Sequence, residues 1–200
     1  MTNAERILRS LDGHLDHPLE LTIYGRAAIA LGFDTPPPDS ERSFDVDAII
    51  PMSQLHHLIN DFGFWSSIEK VNMELSADDL YITHLFQEDQ VILTPDWIKK
   101  RVLLSAPIFQ YLTVFRPSTI DLILTKMMRG KDPQDLSDIR FLLSVGQISR
   151  VNMEQAILTA VIPDIPEIKE AFEAAQPEVL RMTVEIAPPN SRAKTKKLKN

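Results

Sequence analysis

Hydrophobic positions recur at helical spacing from the start of the chain, and AERILRSL predicts an amphipathic opening helix over residues 4–11. The period then changes. LELTIY is apolar and compact, which predicts a strand over 19–24, and the small-residue run after Gly25 predicts a short helix over 26–31. GFDTPPPDSER follows as a loop without regular structure, because three successive prolines fix φ and supply no backbone donors. RSFDVDAII, closed by Pro51, reads as a buried strand interrupted by two carboxylates. A helix is predicted over 52–62, then a strand pair, 78–86 with 90–94, turning at Gln87-Glu88-Asp89. A short strand over 101–105 and a last one over 111–116 complete the sheet. Beyond Arg116 the period is helical: 117–129, 133–144, 152–161 and 166–175, with Pro163-Asp164-Ile165-Pro166 as the clearest internal break. Strands first and helices later predict an α/β (α+β) fold, a mixed sheet flanked by helices with a helical C-terminal subregion. The expected division is a sheet core over 1–116, helices over 117–187 packed on it, and a disordered basic tail over 188–200.

Composition narrows the class without naming a chemistry. With 200 residues, 44% hydrophobic and 24% charged, the chain can bury one proper core. There is no cysteine, hence no disulfide framework and no thiolate ligand or nucleophile. The first residues are charged and amphipathic, unlike a signal sequence, and no apolar run approaches the roughly 20 residues that span a bilayer. A cytoplasmic protein without membrane contact is expected. Five basic residues, Arg192, Lys194, Lys196, Lys197 and Lys199, crowd the end of the chain, leaving 16 basic against 28 acidic residues before them, a formal charge of −12. Such a tail can touch RNA phosphates, although a solvated end is the commoner role. The acidic body argues against a DNA-binding groove.

Asp45 and Asp47 are the candidate chemistry. Side chains alternate faces along a strand, so both point one way and Val46 the other. Isolated carboxylates in an apolar strand are costly unless a cation, hydrogen bonds or a proton compensates. Hard oxygen ligands of this kind suit Mg²⁺ or Mn²⁺ rather than zinc. Upstream, a strand entering a helix through Gly25 leaves free N–H groups at the positive end of a helix dipole, a site suited to phosphates.

The chain resembles the nucleotidyltransferase superfamily, whose pattern is a strand, Gly-[Gly/Ser], a short helix, an Arg- or Thr-rich approach and then [Asp/Glu]-x-Asp on the next strand. The matching residues are Gly25-Arg26 and Ser43-Phe44-Asp45-Val46-Asp47, and the likeness is greatest to the branch that includes abortive-infection toxin nucleotidyltransferases. A second match lies in FRPSTIDLILTKMMRGKDPQDLSDIRFLL, where Lys126, Asp135 and Asp138 take the places of that branch's helix lysine and Asp-x-x-Asp. Asp135 and Asp138 stand i,i+3, so both can face Lys126 across the turn. The resemblance implies Asp45 and Asp47 holding Mg²⁺ or Mn²⁺, and an NTP bound at Gly25, Arg26, Arg42 and Ser43. Lys126 would act on the phosphates, with Asp135 and Asp138, also part of the nucleotide site, orienting it or a second ion. It implies transfer of a nucleoside monophosphate to RNA, protein or a small molecule, and a toxin or defence setting with an antitoxin partner.

Two departures favour a competing reading, a catalytically inactive nucleotidyltransferase-like interaction module. Arg26 stands where the pattern has a small residue that lets phosphate approach. LYITHLF offers Thr83 and His84 in place of a third carboxylate, and a lone strand histidine is more often structural than a base or ligand. His56-His57 diverge around a helix and cannot share one metal, and the Phe62, Phe64, Trp65 cluster reads as core.

Overall fold

The computed structural model describes residues 1–186; the basic tail lies outside the described residues. Five strands form one mixed sheet: β1 (Leu19–Tyr24), β2 (Asp45–Ile50), β3 (Tyr81–Gln87), β4 (Val102–Leu103) and β5 (Leu112–Arg116), in the order β3-β2-β1-β5-β4. β1 runs antiparallel to β2 and parallel to β5, while β2 and β3 are parallel and β4 and β5 antiparallel. Helices flank the sheet, and the fold is α+β.

The two faces of β2 differ. Val46, Ala48 and Ile50 point into the main core with Ile23, Leu122, Ile123 and Ile139. Ile49, on the opposite face, meets Val91, Leu93 and Trp97 in a second small core that also contacts Tyr24, Phe86 and Met128. Asp45 and Asp47 share the face of Ile49, but the covering segment stops short of them. The period-two alternation thus buries one end of this face and opens the other.

On the main-core side, α1 (Asn3–His14) starts at Thr2, whose hydroxyl accepts from the Glu5 N–H, and packs against α4 (Phe62–Glu74). α2 (Gly25–Gly32) follows β1 directly. The helix expected over 52–62 is two helices, α3 (Met52–Ile59) and α4, because the Asp61 carboxylate accepts the Phe64 N–H and restarts the chain as an N-cap. The aromatic cluster divides with them: Phe64 is buried with Trp65 edge-on to it, whereas Phe62 is exposed.

The expected strand pair is also corrected. A 3-10 turn follows β3 at Glu88–Gln90, and residues 91–94 do not return along it. They cross to cover Ile49, Leu93 bridges to Val161, and the Asp121 carboxylate takes the Thr94 N–H. Likewise the proline loop ends in one 3-10 turn, Ser40–Arg42.

Arg116 leads into α5 (Thr119–Lys126), capped by Ser118 rather than begun at Pro117, and a 3-10 turn at Met127–Arg129 closes on Gly130, whose φ of 67° suits glycine. α6 (Pro133–Val145) and α7 (Arg150–Thr159) follow. The break at 163–166 is a turn between α7 and α8 (Pro166–Ile186), which pack on each other. α8 runs past Ala175 through Pro177. An internal proline costs about 3 kcal/mol, and the helix continues because Phe172, Ala175, Val179 and Met182 form one buried stripe.

Asp12 ties α1 to the start of β5, accepting from the N–H groups of Gln110 at 2.8 Å, Tyr111 at 2.7 Å and Leu112 at 2.9 Å. Burial raises its pKa, but these three donors and Arg9 outweigh it and hold the carboxyl below its ordinary value. Asp12→Ala is expected to lower stability by about 2 kcal/mol in chemical denaturation at neutral pH. Because the folded-state pKa is depressed, this contribution is present above the ordinary carboxylate range and lost as pH falls through the lowered value. The gap between wild type and variant should therefore close in acid.

Candidate functional site

A cleft of about 720 Å³ opens over the uncovered end of the sheet. Its walls come from the end of β1, the start of α2, the approach to β2, the middle of β3 and the α5–α6 turn. Gly25, Arg26, Arg42, Ser43, Asp45, Asp47, Lys126 and Asp135 all line it, although they come from three separate stretches of chain. Asp138 stands behind Lys126 rather than on the wall.

The aspartates are half-buried and held by hydroxyls. Ser43 Oγ donates to Asp45 Oδ1 at 3.0 Å, and Thr83 Oγ1 donates to Asp47 Oδ1 at 2.7 Å. The second oxygen of each has no donor among the described residues. A register shift brings a further group here. Val46 pairs with Ile82 and Ala48 with Leu85, so Asp47 alone faces both Thr83 and His84. This β-bulge turns two consecutive side chains toward one carboxylate, which regular alternation forbids. His84 Nδ1 lies 3.1 Å from Asp47 Oδ1, and its ring stacks on Phe86 with centroids 5.2 Å apart and planes 14° apart.

Beside the carboxylates, Gly25 has φ 66°, and a Cβ there would lie 3.9 Å from Asp47 Oδ2. Space would admit a side chain; the left-handed backbone is what calls for glycine. No side chain caps α2 at Tyr24, so its first N–H groups remain available to a ligand or water. Burial raises the Tyr24 phenol pKa, and the charges of Asp47 and Asp45 raise it further, so it stays neutral and protonated.

The cations are bound to different degrees. Lys126, only 7% exposed, donates to Asp135 Oδ1 at 2.9 Å and to Asp138 Oδ2 at 2.6 Å. Arg129 Nε meets Asp135 Oδ2 at 2.5 Å and its guanidinium approaches Asp132, which also caps α6. Burial raises the Asp135 pKa, but Arg129 and Lys126 outweigh it and hold the carboxyl below its usual range. Arg26 does not fill the cleft. Its Nε lies 3.8 Å from Asp138, without a hydrogen-bond partner, and its terminal nitrogens reach the Gln134 amide, whose oxygen accepts in the orientation that satisfies both. Arg42 is exposed and forms no ion pair among the described residues.

The donor set fits a hard divalent cation: two carboxylates on one strand face, each steadied on one oxygen and open on the other. Among the described residues no group of three or more His, Asp or Glu side chains is placed to hold a metal ion. The cleft walls carry four cations, Arg26, Arg42, Lys126 and Arg129, against four carboxylates, Asp39, Asp45, Asp47 and Asp135. Sequence reasoning passed over Tyr24, Asp39 and Arg129. Arg129, at i+3 from Lys126, was detectable by helical spacing, whereas nothing in the residue pattern announces the bulge.

Among known proteins, no family model, no curated protein and no solved structure matches the chain. Among the described residues no helix is long and apolar enough to cross a membrane.

Among the described residues, removing Lys126 leaves buried Asp138 with only the 3.8 Å approach of Arg26 and Asp135 with Arg129 alone. Lys126→Ala is expected to cost about 3–5 kcal/mol of stability, read as a lower denaturation midpoint with an unchanged slope.

Proposed function

We propose that this chain is a metal-dependent nucleotidyltransferase that moves a nucleoside monophosphate from an NTP to a hydroxyl or phosphate acceptor. The observation that carries the reading is the pairing of Asp45 and Asp47 on one open strand face beside the uncapped start of α2. Phosphates and a divalent cation need these two surfaces next to each other.

The charge balance of the cleft supports the same reading. With four cations against four carboxylates, the walls offer a triphosphate no net attraction. Nucleotide is therefore expected to enter with its cation. Asp45 and Asp47 would hold Mg²⁺ or Mn²⁺, which when bound neutralises charge on the phosphate oxygens. The α2 N–H groups and Arg42 would receive the phosphates. Lys126, held still by Asp135 and Asp138, would present its remaining N–H to the cleft as a fixed positive charge. The acceptor oxygen would bond to the α-phosphorus as the bond to the bridging oxygen breaks; pyrophosphate leaves with that electron pair, and the acceptor proton passes to solvent. RNA, a protein or a small molecule is the proposed acceptor, and an antitoxin the proposed partner of a toxin or defence component.

A second reading, a non-catalytic interaction module of the same fold, draws on the commitment of Lys126 and Arg26 to carboxylates and an amide of α6. The two readings separate when the protein is given each labelled NTP with Mg²⁺ or Mn²⁺ and cellular RNA or protein. Transferase activity predicts product, and Asp45→Asn or Asp47→Asn should reduce it more than about 100-fold, beyond the 10–100-fold typical of outer-shell changes. No product with any NTP, or product indifferent to both substitutions, contradicts the proposal. Thr83→Val should fall in the outer-shell range, raising the metal concentration for half-maximal transfer about 10- to 100-fold, with Thr83→Ser restoring it.

A further inference from the structure

We propose that the open face of the His84 ring is the platform on which the base of the bound NTP stacks, and that the site therefore selects purine nucleotides. The inference rests on the nucleotidyltransferase reading above and adds to it the place and the class of the base.

Sheet order sets where the base falls. β2 lies between β3 and β1, so Asp45 and Asp47 stand between His84 on one side and the α2 N–H groups that follow β1 on the other. A nucleotide with its α-phosphate at the carboxylate-held cation and its outer phosphates at α2 extends its nucleoside the other way, toward β3. Neighbouring strands are about 4.8 Å apart, a step that a ribose covers.

The surface it reaches is aromatic. His84 and Phe86 are two apart on β3 and share the cleft face, with ring centroids 5.2 Å apart and planes 14° apart. Phe86 is held edge-on by Tyr24 at 6.2 Å and packs on the small core, so the imidazole rests on an anchored ring. The hydrogen bond to Asp47 Oδ1 uses the edge of the imidazole and leaves its second face free, with 60% of the side chain exposed. Because Phe86 lies on the C-terminal side, this free face looks toward the N-terminal ends of β2 and β3. There Phe44 borders the same cleft, 62% exposed. Its segment is pinned: the Phe44 carbonyl accepts the Tyr81 N–H at 3.0 Å, and Ser43 Oγ donates to Asp45 on either side of it. A base entering here continues the Phe86–His84 stack and removes apolar Phe44 surface from water. Stacking reads the face of a base rather than its edge, so discrimination follows ring area, and two-ring bases gain more than one-ring bases.

Calorimetry with Mn²⁺ and two ligands, a non-hydrolysable ATP analogue and inorganic tripolyphosphate, separates the base from the phosphates. His84→Ala should weaken the ATP analogue about 5- to 150-fold, the range of one lost base–aromatic stack, and leave tripolyphosphate affinity unaltered. His84→Phe, which keeps a flat ring, should restore the analogue's affinity. Wild type should bind ATP and GTP analogues more tightly than CTP and UTP analogues, a preference lost in His84→Ala. In nuclear magnetic resonance of the full chain with Mg²⁺ and isotopically labelled histidine, the ring protons of one histidine should move upfield with the ATP analogue and not with tripolyphosphate. Among the described residues only His84 of the histidines lines the cleft, so this arm needs no variant and misfolding of His84→Ala would not obscure it. Analogue binding that is lost on Asp45→Asn with Asp47→Asn, yet shows no upfield shift and no purine preference, overturns the platform and leaves the cation site standing. Equal weakening of both ligands in His84→Ala contradicts the platform in the same way. No binding of either ligand, or binding indifferent to those aspartates, overturns both readings.

Discussion

A lysine ammonium cannot sit among packed helices without compensation, since burying an isolated charge costs far more than any single contact returns. Lys126 meets this constraint with two carboxylates one helical turn apart on α6, and Arg129 then balances the second oxygen of Asp135. Arg26 extends the network from α2 to Asp138 and Gln134. Three helices are thereby held in one register, and the helical subregion is fixed against the end of the sheet. The cleft exists because that register leaves a space between α2, β2 and the α5–α6 turn. Buried ion networks of this kind add little net stability, and their loss is severe because each removed partner strands another charge.

The sheet supplies the other half of the arrangement. Its open face is covered by Val91, Leu93 and Trp97 only as far as Ile49. Beyond that point the same alternation presents Asp47 and Asp45 to the cleft, steadied by hydroxyls from Ser43 and Thr83. One irregularity, the bulge opposite Asp47, adds His84 to that group. Negative oxygens on the sheet and uncapped N–H groups on α2 then stand side by side on a cleft with no net formal charge on its walls, which suits a cation and an anion arriving together.

Much of this was readable from residue order. The strand at 19–24, the aspartate strand and the approach of Asp135 and Asp138 to Lys126 follow from apolar runs, period-two alternation and i,i+3 spacing, all local rules. The failures lie where distant contacts decide. Residues 90–94 have the composition of a strand, but Ile49 and Asp121 draw them across the sheet instead. α8 ignores Pro177 because a buried stripe outweighs one lost hydrogen bond. One helix ends at Asn60 and Asp61 caps the next, and nothing in the period distinguishes that from continuation. Arg26 was ambiguous between binding phosphate and blocking it; the structure turns it toward α6, a partner assigned by tertiary packing alone.

The central claim, that carboxylate and amide surfaces bind nucleotide only through a shared cation, is tested most directly by calorimetry with a non-hydrolysable NTP, with and without Mn²⁺. Saturable binding with Mn²⁺ that disappears both with chelator and in the Asp45→Asn, Asp47→Asn protein is the predicted result. Binding of equal strength without the cation, or none at millimolar nucleotide with it, would contradict the account.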